Sequence, residues 1–127
     1  MILDKNSKVL IVDDGRVVRG VVGKILAQLG YNNFDEAVDG SDALARINAT
    51  RYSLVISDWN MAPMNGEELP ENLRAQERFA KLPVIMMTTE PSVDKISKAR
   101  HARTSSFIVK PFDSEALQAK ISQFNTK

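Results

Sequence analysis

Acidic, hydroxyl and basic residues mark the ends of four separate apolar runs in this chain. Asp13 and Asp14 follow the first run, Asp58 the second, Thr88 the third and Lys110 the fourth. If these runs are parallel strands of one sheet, the residues meet in the crevice where open α/β sheets bind ligands. A cluster of carboxylates, a hydroxyl and an ammonium is typical of a site for a divalent cation and a phosphoryl group.

Three carboxylates at one sheet edge would repel each other unless a cation neutralised them. Oxygen ligands of this kind suit Mg²⁺, which keeps several waters and takes only a few carboxylates. The candidate ligands are Asp13, Asp14, Asp58 and the backbone carbonyl of Asn60. With the ion bound, one aspartate could attack a phosphoryl group and form an acyl phosphate. Lys110 would neutralise the transferred charge, and Thr88 would donate a hydrogen bond to one of its oxygens.

Composition narrows the class of protein without identifying a partner. The chain has 17 Lys and Arg against 16 Asp and Glu, so its formal charge of +1 gives no reason to expect DNA or a membrane surface. It has no cysteine, which excludes disulfides and thiolate chemistry. No segment approaches the roughly 20 apolar residues of a membrane span, and Met1 to Lys8 is unlike a signal peptide. We therefore expect one cytoplasmic domain over residues 1–127.

Short apolar runs alternate with longer amphipathic segments, which is the pattern of repeated βαβ units. The spacing predicts an α/β fold with five strands and five helices. The predicted strands are Lys8 to Asp13, Asn33 to Val38, Ser53 to Asp58, Val84 to Thr88 and Ser105 to Val109. The predicted helices are Val17 to Leu29, a short one capped by Ser41, one after Gly66, Ser92 to Ala102, and Asp113 to Asn125.

Three further residues predict how the helices begin and end. Gly30 is expected to cap the C-terminus of the first helix. Pro70 should kink the third helix or confine regular helix to one side of it, because proline lacks a backbone donor. Asp113 is expected to cap the last helix, ahead of an acidic first turn.

In order and spacing, the segments that carry the site resemble response-regulator receiver domains of the CheY-like type. The matching segments are Val9-Leu10-Ile11-Val12-Asp13-Asp14, Val55-Ile56-Ser57-Asp58-Trp59-Asn60-Met61, Met64-Asn65-Gly66, Met87-Thr88 and Val109-Lys110-Pro111-Phe112. The resemblance covers nearly the whole chain. It implies a flavodoxin-like, doubly wound parallel sheet with strand order 2-1-3-4-5, an order for which CheY itself is a standard example.

The resemblance also implies a role for each residue of the cluster. Asp58 matches the phosphoacceptor, and Asp13 and Asp14 match the acidic pair that helps to hold Mg²⁺. Lys110 matches the lysine that pairs with the phosphoryl group, and Thr88 matches the hydroxyl that moves toward it. Such domains are not enzymes beyond self-phosphorylation from phosphodonors and slow self-dephosphorylation.

In the proteins that this chain resembles, a histidine kinase donates the phosphoryl group. Thr88 would then move and Phe107, at the usual position of an aromatic switch residue, would change rotamer. This population shift alters partner affinity on the surface of the fourth helix, fifth strand and fifth helix. No output domain follows Lys127, so we expect a stand-alone regulator in chemotaxis or motility control. Its partner would be a motility or kinase target protein that docks on that surface.

A second candidate site is the segment Lys95 to Phe112, which contains no Asp or Glu. Its cations outside the phosphoryl site are Lys95, Lys98, Arg100, His101 and Arg103. They could simply complement the dipole at the end of the fourth helix, or they could bind an acidic protein. Guanidinium groups also bind phosphates bidentately and stack on aromatic faces. Some CheY-like proteins with an arginine-rich segment here are cyclic di-GMP effectors, which makes Arg100, His101 and Arg103 a hypothetical nucleotide site.

Three functional hypotheses from different classes follow. The first is a receiver controlled by phosphorylation of Asp58, and the second is a cyclic di-GMP sensor acting through Lys95 to Arg103. The third is a Mg²⁺-dependent phosphatase with an aspartate nucleophile. An acidic pair on the first strand with a lone Asp on the third argues against the phosphatase, as does the lack of room for a cap domain.

Overall fold

The structure is a computed structural model, and it describes residues 5–59, 68–89 and 106–124. Within these residues, parallel strands form a five-stranded sheet in the order β2-β1-β3-β4-β5. The strands are β1 (Val9–Val12), β2 (Phe34–Ala37), β3 (Leu54–Asp58), β4 (Val84–Thr88) and β5 (Ser106–Val109). The predicted flavodoxin-like fold and strand order are confirmed.

Helices cover both faces of this sheet. They are α1 (Arg16–Gln28), α2 (Gly40–Ala49), α3 (Glu68–Arg74) and the C-terminal helix (Ser114–Phe124), with a short 3₁₀ turn at Glu77–Phe79. The predicted helix Ser92 to Ala102 lies outside the described residues. In the part of the chain that is described, no helix is both long and apolar enough to cross a membrane.

Every residue of β1, β3 and β4 is buried, as expected for central parallel strands covered on both faces. Alternate residues of β1 point to opposite sides. Val9 and Ile11 pack with α1 and the C-terminal helix, whereas Leu10 and Val12 pack with α2 and α3. Two apolar cores therefore clamp the sheet, and the ends of its strands are held in fixed relative positions.

The helix boundaries confirm two predictions and correct one. Gly30 has a φ of +94° and ends α1 in the left-handed region that glycine tolerates best. Pro70 is the third residue of α3 as described, and its predicted effect on the helix stays a prediction because residues 60–67 lie outside the described residues. The Asp113 carboxylate accepts the N–H of Ala116 at 2.9 Å and caps the C-terminal helix.

The prediction that Ser41 caps the second helix was wrong. Asp39 is the N-cap of α2, and its carboxylate accepts the N–H of Asp42 at 2.8 Å. Asp39 has an extended backbone (φ −158°, ψ 179°), as capping residues usually do. The helix therefore begins at Gly40, and Ser41 already lies within its first turn.

Candidate functional site

Neighbouring strands end together at the edge of the sheet that carries the candidate site. β1 and β3 are paired up to Val12 and Ser57, and Asp58 pairs with Met87 of β4. Asp13 follows β1, and Asp58 and Thr88 are the last residues of β3 and β4. These residues therefore meet in one crevice at the carboxyl ends of the strands. Carboxylate oxygens of Asp13, Asp14 and Asp58 lie within 4.8 Å of one another. The structure thus brings together the three carboxylates that the sequence selects.

The three carboxylates differ in their exposure to water. Asp13 is 2% exposed and Asp58 is 7% exposed, whereas Asp14 lies on the surface. A buried ionised carboxylate is costly unless it is hydrogen-bonded and paired with a positive charge. The partners of Asp13 and Asp58 therefore determine what the site can bind.

Asp13 is held through its backbone and both carboxylate oxygens. Its N–H donates to the carbonyl of Ala37 at 3.1 Å, which links the end of β1 to the end of β2. Its Oδ1 accepts the N–H of Gly15 at 2.8 Å, and its Oδ2 lies 3.4 Å from Nζ of Lys110. The pKa of Asp13 is raised, and burial is the largest cause. The hydrogen bond from Gly15 opposes this rise, whereas the negative charge of Asp58 adds to it.

Lys110 supplies the positive charge of the cluster. Its Nζ donates to Oδ1 of Asp58 at 2.8 Å, and its side chain is only 18% exposed. Burial by itself would lower the pKa of Lys110, but the hydrogen bond and the charge of Asp58, with those of Asp13, raise the pKa overall. The ammonium therefore stays charged and joins the end of β5 to the ends of β1 and β3.

Thr88 closes β4 between the residues that carry these charges. It follows Met87, the partner of Asp58, and it is 4% exposed. The backbone carbonyl of Thr88 accepts the N–H of Lys110 at 2.7 Å, and the peptide bond from Lys110 to Pro111 is cis. Thr88 thus ends β4 at the same edge of the sheet as Asp58, and its role toward a phosphoryl group stays a prediction.

Phe107 lies one strand farther along the sheet. It pairs with Met86 of β4, is half-buried and packs against the core on the α2 side of the sheet. The Nζ of Lys120, on the C-terminal helix, lies 5.6 Å from the centre of its ring. This contact joins β5 to the C-terminal helix, and the switch role of Phe107 stays a prediction.

The remaining predicted site residues lie outside the described residues. They are Asn60, the proposed carbonyl ligand, and Arg100, His101 and Arg103 of the hypothetical nucleotide site. The same holds for the rest of the segment Lys95 to Arg103.

Sequence reasoning missed two residues that hold Asp13 in place. Gly15 acts through its backbone N–H, as described above. Arg19 donates from Nη1 to the carbonyl of Asp13 at 2.7 Å and from Nε to Oε1 of Glu36 at 2.9 Å. The sequence does contain one indication of a special role for Arg19. It is a cation in the first turn of a predicted helix, where the helix dipole favours anions.

Comparison with known proteins gives a consistent assignment. The model of the response regulator receiver domain family matches residues 9–122. Chemotaxis protein CheY-3 of Vibrio cholerae is 42% identical over 120 residues, which cover 94% of this chain and 92% of that protein. The structure of Vibrio cholerae CheY4 has a TM-score of 0.87 and 35% identity, covering 93% of this chain and 98% of that one.

A more distant neighbour shares the fold. The receiver domain of the Pseudomonas aeruginosa sensor histidine kinase PA1611 has a TM-score of 0.86 at 24% identity, covering 96% of this chain and 99% of that one. That structure has a magnesium ion coordinated in its active site cleft. The family match over most of the chain and the identity to CheY-3 decide the assignment: this chain belongs to the response regulator receiver domain family, as a CheY-type signalling domain of two-component systems and not a classical enzyme.

Proposed function

We propose that this chain is a response regulator whose Asp58 receives a phosphoryl group from a histidine kinase in the presence of Mg²⁺. The observation that carries the proposal is the charged contact of 2.8 Å between Lys110 Nζ and Oδ1 of Asp58, beside the carboxylates of Asp13 and Asp14. A lysine already placed on the nucleophile's carboxylate is also placed to contact a phosphoryl group attached there.

Asp58 is a better nucleophile than Asp13 on geometric grounds. Both carboxylate oxygens of Asp13 have partners, Gly15 N–H on Oδ1 and Lys110 on Oδ2. At Asp58, Lys110 contacts Oδ1, and no group within the described ranges hydrogen-bonds Oδ2. In the transfer, this oxygen would form a bond to phosphorus while the bond from phosphorus to the kinase's histidine nitrogen breaks, and the imidazole leaves.

The acidic cluster fits Mg²⁺ by the chemistry of its donors. All three are carboxylates, two are buried and one is exposed, so a hard cation could take part of its ligands from water. The bound ion would supply positive charge opposite the incoming phosphoryl oxygens. The PA1611 receiver domain, with its coordinated magnesium, is a precedent within the same fold. Asn60 is proposed as a further ligand through its backbone carbonyl.

Apolar residues flank the acidic crevice and suggest where a protein phosphodonor would dock. Val17, in the first turn of α1, is 79% exposed, and Val38, just after β2, is 48% exposed. The ends of β1 and β2 are joined by the bond from Asp13 N–H to Ala37, so both valines flank the same edge of the sheet. Exposed apolar residues at the rim of a polar crevice are compatible with a protein docking there.

We further propose that Thr88 and Phe107 transmit the phosphorylation state to a motility or kinase target protein. Lys110 connects Asp58 to Thr88 through its backbone, and Phe107 contacts Lys120 of the C-terminal helix. A change at Asp58 can therefore reach β5 and the C-terminal helix, which form part of the proposed docking surface. A cytoplasmic location and a single domain over residues 1–127 belong to the same proposal.

Phosphorylation is tested by incubating the protein with acetyl phosphate and MgCl₂ and measuring its intact mass. We expect a gain of one phosphoryl group in the wild type, which Asp58→Asn and removal of the metal with EDTA both abolish. Asp42→Asn is a matched control, because Asp42 is a half-buried aspartate on α2, paired with Arg46. A phosphoryl gain that persists in Asp58→Asn would refute the assignment of the phosphoacceptor.

Cyclic di-GMP binding through Lys95 to Arg103 stays a second proposal, favoured by the absence of Asp and Glu from Lys95 to Phe112. Calorimetric titration of the nucleotide into the wild type and into the Arg100→Ala, Arg103→Ala double variant tests it. Saturable binding that the variant loses would support a nucleotide-responsive receiver. No heat from the wild type at high nucleotide concentration would refute this proposal and leave phosphorylation as the input.

A further inference from the structure

The first turn of α1 is unusual for the N-terminus of a helix. It contains Arg16 and Arg19 and no acidic residue. The helix dipole disfavours cations at this end. Arg19 is nevertheless well packed, with a side chain only 12% exposed. An arginine that is both placed against the dipole and nearly buried must be stabilised by specific contacts.

Arg19 joins two strands through two N–H groups of one rigid plane. Its Nη1 donates to the backbone carbonyl of Asp13 at 2.7 Å, at the end of β1. Its Nε donates to Oε1 of Glu36 at 2.9 Å, on β2. The guanidinium is planar, so the position of Glu36 helps to fix the direction from which Arg19 approaches the carbonyl.

This carbonyl belongs to the peptide group that connects Asp13 to Asp14. Fixing its direction fixes the orientation of that peptide plane, and with it the positions from which the two adjacent carboxylates project. The side chain of Asp13 is already held by Gly15 and Lys110. Arg19 therefore adds a contact to the backbone carbonyl of Asp13, whose side chain already has its own partners.

We propose that Arg19 is a positioning residue for the cation site, with Glu36 as its brace. The inference rests on the proposed function, in which Asp13, Asp14 and Asp58 bind Mg²⁺. Residues that orient metal ligands through hydrogen bonds commonly change metal affinity by about 10-fold to 100-fold when they are removed.

The positive charge of Arg19 makes the proposal sharply testable. Simple electrostatics predicts that removing a cation near the carboxylates tightens Mg²⁺ binding. Positioning predicts the opposite, a weaker affinity despite the lost positive charge. Arg19→Lys separates the two effects further, because it keeps the charge but replaces the rigid fork with one ammonium that cannot match both acceptors in the same way.

The experiment titrates MgCl₂ into each protein and follows the fluorescence of Trp59, the single tryptophan, which directly follows Asp58. We expect Arg19→Ala to raise the Kd for Mg²⁺ by about 10-fold, with Arg19→Lys between it and the wild type. Arg46→Ala is the matched control, because it removes an arginine whose salt bridge to Asp42 lies on α2. Its Kd should equal that of the wild type.

Urea unfolding of the same variants shows whether they are folded. A merely structural role for Arg19 would lower the unfolding midpoint and leave the Kd of the folded protein unchanged. An unchanged or lower Kd in Arg19→Ala would overturn the proposal, and Arg19→Lys decides by the same criterion if Arg19→Ala does not fold. If the wild type itself shows no Mg²⁺ binding, by fluorescence or by calorimetry, the cation site is refuted and the role of Arg19 falls with it.

Discussion

Lys110→Ala should destabilise the metal-free protein far more than loss of an ordinary surface lysine. Lys110 Nζ contacts Asp58 at 2.8 Å and Asp13 at 3.4 Å, and these carboxylates are 7% and 2% exposed. Removing one partner of a buried ion pair costs about 3 to 5 kcal/mol, because the remaining charge is left unpaired. The lysine is 18% exposed, so water can partly replace it, and we expect a loss of about 3 kcal/mol.

The measurement is urea unfolding in EDTA and again in excess MgCl₂. We expect the difference between Lys110→Ala and the wild type to shrink in MgCl₂, because the ion replaces the missing positive charge. Lys8→Ala is the matched control. Lys8 also lies 3.4 Å from a carboxylate, that of Asp35, but both side chains are about one third exposed, so its loss should cost less than about 1 kcal/mol.

Two results would refute this reasoning. If Lys110→Ala cost no more than Lys8→Ala in EDTA, the carboxylates of Asp13 and Asp58 would not depend on Lys110 for their charge balance. If the cost in EDTA persisted unchanged in saturating MgCl₂, the lysine and the metal would not act on the same charges.

Three further predictions test other contacts by urea unfolding. Gly20→Ala should raise the free energy of unfolding by up to about 1 kcal/mol, because the new Cβ would meet nothing within 4 Å. Gly23→Ala should not give this gain, because its Cβ would lie 2.9 Å from the Phe34 ring. Asp39→Ala should cost about 1 kcal/mol through the lost cap and Ser41→Ala much less, and equal effects would contradict the cap assignment. Tyr52→Phe should cost about 1 kcal/mol, because Tyr52 donates to Asp35 at 2.6 Å. Burial and this bond raise the pKa of Tyr52 from 10.0 to about 12, so the wild type should lose stability between those pH values, and a variant with the same alkaline profile would contradict the assignment.

The strand ends could be predicted from sequence because each apolar run stops at a polar residue. The prediction for β4, Val84 to Thr88, matches the structure residue for residue, and the other strands differ by one residue at one or both ends. Burial on both faces leaves a continuous apolar run, which is a strong local signal. The meeting of Asp13, Asp58 and Lys110 then follows from parallel strands ending at one edge.

Contacts between residues far apart in the sequence could not be predicted in this way. Asp39 and Ser41 are both suitable N-cap residues for α2. Which of them caps the helix depends on where the chain leaves β2, and the local sequence does not specify this. Arg19 contacts a backbone carbonyl and a glutamate 17 positions away on β2, so neither periodicity nor capping rules report it. The bond from Tyr52 to Asp35 escapes for the same reason, since it joins a strand to a loop.

The charges of the site suggest how phosphorylation could act on β5. Asp13, Asp14, Asp58 and Lys110 together carry a net charge of −2 when ionised, which one Mg²⁺ would neutralise. Phosphorylation replaces the single charge of Asp58 with about −1.5 to −2 on the phosphoryl oxygens and so leaves an excess of negative charge. When Asp58 is phosphorylated, the carboxylate oxygen that now accepts from Lys110 becomes the uncharged carbonyl oxygen of the acyl phosphate. The negative charge then lies on the phosphoryl oxygens.

Lys110 should therefore transfer its hydrogen bond from Asp58 Oδ1 to a phosphoryl oxygen. Its backbone N–H is bonded to Thr88 at 2.7 Å, so this movement acts on the junction of β4 and β5, the strand that carries Phe107. The Lys110→Ala variant isolates this step, because it keeps the Asp58 carboxylate but has no ammonium to transfer. In acetyl phosphate and MgCl₂, we expect the wild type to change the NMR signals of Phe107 and Lys120, and the variant to gain the phosphoryl mass without that change. A phosphorylated variant in which the Phe107 signals change as in the wild type would show that the signal reaches β5 without Lys110.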